Sequence, residues 1–303
     1  MSAPARLSIG LPVHNGENYL QSAIDSVLSQ DFDGLELIIG DNGSTDGTEE
    51  ICRSAAAADP RVRYDRSPQN LGATWNYNRL VGMAEGEFFK WAAHDDLLAP
   101  GFLTECTSEL LRDPSAVIAY PRTVLIGVDG EVLDDRFVDG LDLRSPDPVE
   151  RFSTYMVHSG ELHAVFGVIR RRALQRTRLI ANCSGGDQVL LAELLLQGTF
   201  HEIPDRMFLR RYHPETSFVA NRTPEEVARW YDPQRGARRP LPRTRLTGEM
   251  FRVVALADVD PRTRASLWWA VASRWVPHHW RVVGGELKGL ARYGMGRLFS
   301  RPA

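Results

Sequence analysis

The sequence predicts an α/β protein with a mostly parallel central sheet and helices on both faces, and three observations lead there. Apolar strand-like runs alternate with amphipathic helix-like runs through residues 6–120, an order that feeds parallel strands through crossover helices. Leu35–Gly40 and Phe88–Ala93 are short, largely apolar runs, as strands covered on both faces are. Several of them end in polar, carboxylate-bearing turns, and the C-terminal edge of an open α/β sheet is where ligands bind.

Arg6 to Val13 reads as the first strand. Glu17 to Gln30 reads as an amphipathic helix with Leu20, Ile24, Val27 and Leu28 on one side. Leu35 to Gly40 is an apolar strand ending at Asp41. Ser44-Thr45-Asp46 then supplies a helix cap, with Glu49 and Glu50 in the first turn, where the helix dipole favours acids. Val62 to Arg66 is a short strand, Gly72 to Ala84 a helix, Phe88 to Ala93 a buried strand, Gly101 to Leu111 a helix and Ala116 to Tyr120 a strand.

Beyond residue 120 the pattern changes. Val124 to Val128 and Glu131 to Leu133 flank Asp129-Gly130, a hairpin signal. Residues 139–148, rich in Asp, Pro and Ser, read as a loop. Helix-like, strand-like and helix-like stretches follow at 149–158, 164–170 and 185–197, then strand-like pieces at Thr199 to Ile203 and Met207 to Tyr212. Residues 232–245 are basic and broken by prolines, which marks a linker, and the remainder reads as helical.

At 303 residues, 43% apolar and formally −3 in charge, the chain supports a sizeable core, and nothing in it marks a nucleic-acid partner. Cys52, Cys106 and Cys183 are too scattered for a disulfide or zinc framework, which suits a reducing cytoplasm. The first residues lack the apolar core of a signal peptide, and no stretch approaches the ~20 apolar residues that span a bilayer. A cytoplasmic location is expected. Residues 261–303 set eight Arg and Lys against the single acid Glu286, interleaved with Trp268, Trp269, Trp275 and Trp280. That segment is either a peripheral contact with the anionic inner face of the plasma membrane or a helical appendage packed on the domain with its basic face solvated.

Candidate chemistry gathers at the expected sheet edge. Asp95 and Asp96 follow the apolar run Phe88–Ala93. Adjacent carboxylates repel unless a cation, a proton or solvent relieves them, and a hard divalent cation is the relief most useful to chemistry. The competing reading is a cap for the helix after Pro100. The first strand ends in Pro12-Val13-His14-Asn15-Gly16-Glu17 and the second in Asp41-Asn42-Gly43-Ser44-Thr45-Asp46-Gly47. Neighbouring parallel strands put both turns on one edge. There His14 could stack on a flat base and an Asp accept the imide N–H of uracil or thymine; an ordinary turn plus cap is the alternative. No Gly-x-Gly-x-x-Gly follows the first strand, which disfavours a dinucleotide site.

These segments resemble family 2 glycosyltransferases of the GT-A fold. Pro12-Val13-His14-Asn15-Gly16-Glu17 matches the opening strand and loop, and Asp41-Asn42-Gly43-Ser44-Thr45-Asp46 the Asp-Asp-Gly-Ser-x-Asp segment whose first Asp reads the base. Asn70-Leu71-Gly72 through Asn78, with Ala84-Glu85-Gly86-Glu87, matches the stretch leading to the metal-binding strand. Ala93-His94-Asp95-Asp96 with Pro100 matches the Asp-x-Asp-Asp segment. The four cover about residues 7–110. The resemblance implies a nucleotide-sugar-binding half over 1–120, an acceptor-binding half over 121–231, the linker 232–245 and a helical, basic and aromatic appendage over 246–303. It also implies that Pro12, Val13, His14, Asn15, Glu17, Asp41, Asn42, Asn70, Asn78, His94 and Asp95 bind the nucleotide sugar. Asp95 would hold Mn2+ or Mg2+ between the diphosphate oxygens. Two departures stand out: the first Asp of the Asp-x-Asp pair is Ala93, and a frequent Arg-Asn pair is Tyr77-Asn78, with Arg79 one residue further on.

The resemblance extends to the second half. Asp187, in Ser184-Gly185-Gly186-Asp187, matches the acid of a Glu-Asp segment whose carboxylate is the catalytic base, with Gly186 in place of Glu; alone, Asp187 also reads as a helix N-cap. Arg210-Arg211-Tyr212-His213, followed by Ser217, resembles an Arg-x-His segment that serves metal and diphosphate. Arg211 and His213, two apart on an extended segment, project to the same side, which favours joint contact with an anion; the resemblance implies nucleotide-sugar contact for Arg211 and metal contact for His213. His163 and Gly167 fall where the family lines its acceptor site, and Asp96 is grouped with them.

The implied function is a metal-dependent, inverting hexosyltransferase in bacterial glycan synthesis. It would move a sugar from UDP or dTDP, with GDP also allowed, to a hydroxyl of a saccharide or lipid-linked acceptor. One alternative, prompted by Ala93, is a nucleotide-sugar-binding subunit without catalysis. Another is a sugar nucleotidyltransferase, disfavoured because no Gly-rich, Arg/Lys-bearing loop follows the first strand to grip a triphosphate.

Overall fold

The computed structural model describes residues 7–158, 162–234 and 241–299. Strands and helices alternate as expected through β1 (Leu7–Val13), α1 (Leu20–Leu28), β2 (Leu35–Asp41), α2 (Thr48–Ala58), β3 (Val62–Arg66), α3 (Ala73–Met83) and β4 (Phe88–Trp91). There follow β5 (Leu97–Leu98), α4 (Phe102–Arg112), β6 (Ala116–Ile126), β7 (Val132–Asp134) and α5 (Pro148–Tyr155). Next come β8 (Val168–Arg170), α6 (Arg171–Leu174), α7 (Gly186–Leu195) and β9 (Thr199–Arg211). Helices α8 (Ser217–Ala220), α9 (Pro224–Tyr231), α10 (Pro242–Leu256), α11 (Pro261–Ala270) and α12 (Val276–Phe299) complete the described chain.

One sheet runs β3-β2-β1-β4-β8-β6-β9-β5, with β7 hanging on β6. It is parallel from β3 to β4 and mixed beyond, where β8 pairs antiparallel to both β4 and β6 while β6 and β9 run parallel. Successive side chains leave opposite faces of a strand, and both faces are covered. On β2, Leu37 and Ile39 enter a core with Leu20, Ile24, Phe102 and Leu103. Ile38 enters a second core with Leu80, Leu190, Met250 and Leu267. Two apolar faces explain why the strands read as unbroken apolar runs rather than alternating ones.

Several boundaries differ from the sequence reading, each for a local reason. The strand expected to end at Tyr120 continues through Pro121 to Ile126, and the two pieces at 199–212 are one strand. The register between β6 and β9 shifts around Pro121–Thr123, and such bulges accommodate a proline that cannot donate to the ladder. The first helix starts at Leu20 rather than Glu17, because Tyr19 N–H closes a turn onto Gly16 O. Caps fall on glycines: Gly47 for α2, Gly101 for α4 and Gly185 for α7. Neither Asp95–Asp96 nor Asp187 is therefore an N-cap. A 3-10 turn at Ala164–Phe166 precedes β8.

Helix α10 begins at Pro242, inside the expected linker, while residues 235–240 of that linker lie outside the described residues, as do Arg6 and Arg301. Leu246, Met250, Val253 and Val254 of α10 join the second core with Leu267, Ala270 and Trp275. Residues 246–275 thus pack on the sheet's helical layer rather than standing apart from it.

Candidate active site

The first two loops grip each other before they can grip anything else. Asn15 N–H donates to Ser44 Oγ at 2.9 Å, and Thr45 N–H returns a bond to Asn15 Oδ1 at 2.9 Å. Gly47 N–H donates to Glu17 Oε2 at 2.6 Å, while Glu17 N–H donates to Asp46 at 3.2 Å. Asn15 holds a left-handed φ of 53°, a conformation that Asn tolerates better than most residues. Gly16 is required by close approach: a β-carbon there would stand 2.5 Å from His94 Cδ2. Main-chain pairing extends the edge, since Val13 lies opposite Asp41 and its carbonyl accepts from Asn42 N–H. The Asn42 amide then reaches Asn70 and Gly72 O and accepts from Leu71 N–H. Pro12, Val13, Asn15, Glu17, Asp41, Asn42, Asn70, His94 and Asp95 are therefore brought to one edge, with exposed His14 on the first loop.

Asp41 is fully buried. Its Oδ1 accepts from Ser44 N–H at 2.9 Å, and its Oδ2 from Tyr64 OH and Arg66 Nε at 2.9 and 3.1 Å. A base N–H reaches this carboxylate only if the packing around it opens.

Asp95 and His213 meet at the turn after β4, with Nε2 2.9 Å from Oδ2. Burial works against ionisation of Asp95, but the hydrogen bond from His213 and the fields of His94 and His213 outweigh it and hold its carboxyl below the usual range. Its neighbour behaves oppositely: burial and the Asp95 charge push Asp96 up to about 7, with Asp96 Oδ1 accepting Arg211 N–H at 2.9 Å. Asp95 and His213 would hold a divalent cation, the carboxylate through an oxygen and the imidazole through Nε2 once that nitrogen gives up its proton. Among the described residues no set of three or more His, Cys, Asp or Glu converges on a metal position, so further ligands would come from substrate and water.

Beside this edge lies a cavity of about 670 Å³, walled by Tyr77, Trp91, Phe166, Trp230 and Tyr231, with Asp187, Gln188 and Arg210 as polar groups. Gly185, at φ 79°, lets the chain turn into α7 and sets Asp187 in its first turn. Asp187 Oδ1 accepts Gln188 N–H at 2.9 Å. Burial nevertheless wins over that bond and over the Arg210 charge, and raises the Asp187 carboxyl above its ordinary range. Tyr77 stands between the two centres. Its phenol is pushed up by burial and by Asp95, Asp96 and Asp187, against the pull of Arg210.

Other expected residues turn inward. Asn78 uses both ends of its amide on the main chain of Ile180, at 2.9 and 3.1 Å. Arg79 is held by Asp65 and Asn76 and packs over the Trp75 ring. Arg211 is buried with its guanidinium on the carbonyls of Asp95, Gly127 and Val128, so the basic residues lining the cavity are Arg210 and Arg222 instead. His163 is also buried, 2.9 Å from Thr123 Oγ1 and stacked on Phe137; Leu162, Val165 and Phe166 line the cavity in its place. Gly167 is fixed by packing, since a β-carbon would come within 2.7 Å of Ala119 O. The sequence assigns Arg210 and Tyr77 no role in the site and does not single out the α9 aromatics Trp230 and Tyr231. The alternation of side chains along β9 puts Arg210 and Arg211 on opposite sides but does not say which side holds the cavity.

Comparisons with known proteins show the fold and the family. Among solved structures, the fold resembles residues 1–349 of S. aureus TarS in complex with UDP-GlcNAc, with a TM-score of 0.65 and 16% identity over 91% of this chain and 73% of that one. It also resembles the mannosyltransferase PcManGT from Pyrobaculum calidifontis in complex with GDP-Man and Mn2+, with a TM-score of 0.57 and 17% identity over 97% and 76%. A chondroitin synthase of Pasteurella multocida is 33% identical over 127 residues, which are 42% of this chain and 13% of that much longer protein. The model of "Glycosyl transferase family 2" matches residues 8–178. That match covers more than half the chain and spans the clasped loops, the Asp95 turn and strands β2 to β8, so the protein belongs to glycosyl transferase family 2 and has its GT-A fold.

Proposed function

We propose that the protein is a metal-dependent, inverting glycosyltransferase that moves a sugar from a nucleotide diphosphate to an acceptor hydroxyl. The observation that supports this most is the placement of Asp187: a carboxylate with raised proton affinity lines the large cavity, next to the turn that holds Asp95 and His213. A carboxylate whose proton affinity is raised by burial is better suited to general base catalysis than an ordinary one. Asp187 would take the proton of the acceptor hydroxyl as it attacks the anomeric carbon from the face opposite the nucleotide. Arg210, on the same cavity wall, would steer the anionic donor. The aromatic walls would exclude water and offer flat faces to sugar rings. Asp95 and His213 would hold Mn2+ or Mg2+, whose chemistry here is to offset charge on the departing diphosphate.

The clasped loops would receive the nucleotide. A pyrimidine, uracil or thymine, remains the favoured base, with guanine also allowed. Asp41 would contribute through the Tyr64–Arg66–Ser44 network it holds together, or directly once the packing around it opens. The acceptor would be a saccharide or a lipid-linked saccharide of a bacterial glycan. The solved relatives in complex with UDP-GlcNAc and GDP-Man, and the relative that is a chondroitin synthase, support this range. A screen of nucleotide-sugar hydrolysis with and without Mn2+ tests the reading without knowledge of the acceptor. Metal-stimulated release of one nucleotide supports it; no turnover of any donor contradicts it.

Ala93 favours a second reading, a nucleotide-sugar-binding subunit without catalysis. Metal-dependent binding with no transfer to any acceptor extract would support that instead.

Residues 261–303 are proposed to rest on an anionic membrane surface. Trp268, Trp269 and Trp280 project into solvent, Trp269 with 72% of its surface exposed. Among the described residues no helix is long and apolar enough to cross a membrane, so the contact would be peripheral.

A further inference from the structure

The first loop reaches past the nucleotide edge to the two imidazoles that flank Asp95. Gly16 packs so closely on His94 that a β-carbon there would stand 2.5 Å from its Cδ2, and His94 Nδ1 lies 4.0 Å from Asp95 Oδ1. Further along the loop, Tyr19 meets the other imidazole: its ring and that of His213 have centroids 4.7 Å apart and planes inclined at 54°. The Arg211 guanidinium lies over the same Tyr19 ring, 4.7 Å from its centroid. Asn18 adds a bond from Nδ2 to Glu215 Oε2 at 3.2 Å. The loop thus docks along the segment that leaves β9 and returns to Asp95.

The core does not account for an aromatic at this position. Tyr19 is half-buried and stands before α1, whose buried face is Leu20, Ala23, Ile24 and Val27. Its place is set by the turn that it closes onto Gly16 O. What it covers is the His213 ring, whose Nε2 stands 2.9 Å from Asp95 Oδ2. An imidazole nitrogen binds a cation in the plane of its ring, so the angle of that ring decides whether Nε2 can share a cation with the carboxylate. Thr216 Oγ1 fixes the main chain of His213 by accepting its N–H at 3.0 Å, which leaves the ring angle to the neighbours of the ring. Arg211 limits Tyr19 in turn, because its guanidinium is tied to the carbonyls of Asp95, Gly127 and Val128.

We propose that Tyr19 is a positioning residue that sets the His213 ring for the cation. The first loop then serves twice, building the nucleotide edge and orienting a metal ligand. The proposal rests on the reading that Asp95 and His213 hold Mn2+ or Mg2+.

The test titrates UDP into the full chain by calorimetry, in Mn2+ and in chelator. Wild type is compared with Tyr19→Leu, Tyr19→Ala and Tyr19→Phe; two variants without the ring guard against one that packs badly. Loss of the ring should weaken UDP binding about 3–10-fold in Mn2+, the worth of an aromatic pair expressed as affinity, and leave it unchanged in chelator. Tyr19→Phe should bind as wild type does, since the contacts are made by the ring and not by the hydroxyl. Equal losses in Mn2+ and chelator would assign Tyr19 to the fold and overturn the proposal. A Phe variant as weak as the other two also overturns it, as does Mn2+-dependent binding that both ring-less variants leave intact. Wild-type binding indifferent to Mn2+ would sink the cation reading itself, and the proposal with it.

Discussion

Asp95 and His213 lie 118 residues apart in sequence, yet the carboxylate and imidazole stand 2.9 Å apart where the chain leaving β9 returns to the turn after β4. That contact ties the first half of the chain to the second at the point where a donor diphosphate would lie. Arg211 reinforces it from one residue pair away, through Asp95 O and Asp96.

If this pair holds the cation, removing either side chain should abolish metal dependence while leaving the nucleotide loops intact. Asp95→Ala and His213→Ala are each expected to weaken UDP binding about 10-fold or more in Mn2+ and to change it little in chelator. Calorimetry with and without Mn2+ reads this directly. Equal losses in both conditions would mean that the pair serves the fold rather than a metal.

Asn78 is expected to act on stability instead of donor binding. Its amide makes a two-bond bridge to Ile180 that joins α3 to the loop before α7. Leaving buried main-chain groups unpaired costs about 1–3 kcal/mol. Asn78→Ala should lower unfolding stability by that order in urea with unchanged affinity for UDP. A selective loss of UDP affinity would restore the diphosphate role that the family pattern suggests.

The contrast shows what the sequence carries. The β-α alternation, the span Val62–Arg66 and the hairpin around Asp129-Gly130 were legible because periodicity and turn residues are local signals. The continuation of β6 through Pro121 was not, because a bulge against β9 is a tertiary solution to a local defect. The family resemblance likewise assigned Asp95, His213 and Asp187 to one site. It could not separate Arg210 from Arg211, nor reveal that Asn78 and His163 turn inward, since those outcomes depend on which partners the packed chain offers.

Lys90 gives a pH prediction. It is fully buried on β4, donating to Trp91 O and Phe166 O and lying over the Phe102 ring. Burial pushes its ammonium down to about 7, against the pull of Cys106 and Asp96; in the unfolded chain it titrates near about 10.4. Between those values the unfolded state holds a proton the folded state lacks, so this group makes stability rise with pH, by up to about 1.4 kcal/mol per unit. From pH 7 to 9, wild type should therefore gain about 2 kcal/mol relative to Lys90→Met in urea unfolding. Parallel stability profiles would show that Lys90 stays charged in the fold.

The C-terminal helices should bind acidic vesicles at low salt and release them as salt shortens the reach of their charges. A chain truncated after Asp260 is expected to lose any flotation, but it also loses the core residues Leu267, Ala270 and Trp275. Trp269→Ser with Trp280→Ser in the full chain is the cleaner comparison. Flotation unchanged by the double substitution, or absent in wild type, would leave the segment as a packed appendage.

The central claim is that Asp187 is the base of a glycosyl transfer, and Asp187→Asn tests it most directly. The substitution keeps shape and removes proton affinity. Donor affinity, measured by calorimetry with the best nucleotide sugar and Mn2+, should be retained. Turnover to acceptor should fall by about 10²–10⁴-fold, the usual contribution of a positioned base. Near-wild-type turnover in the Asn variant would contradict the account.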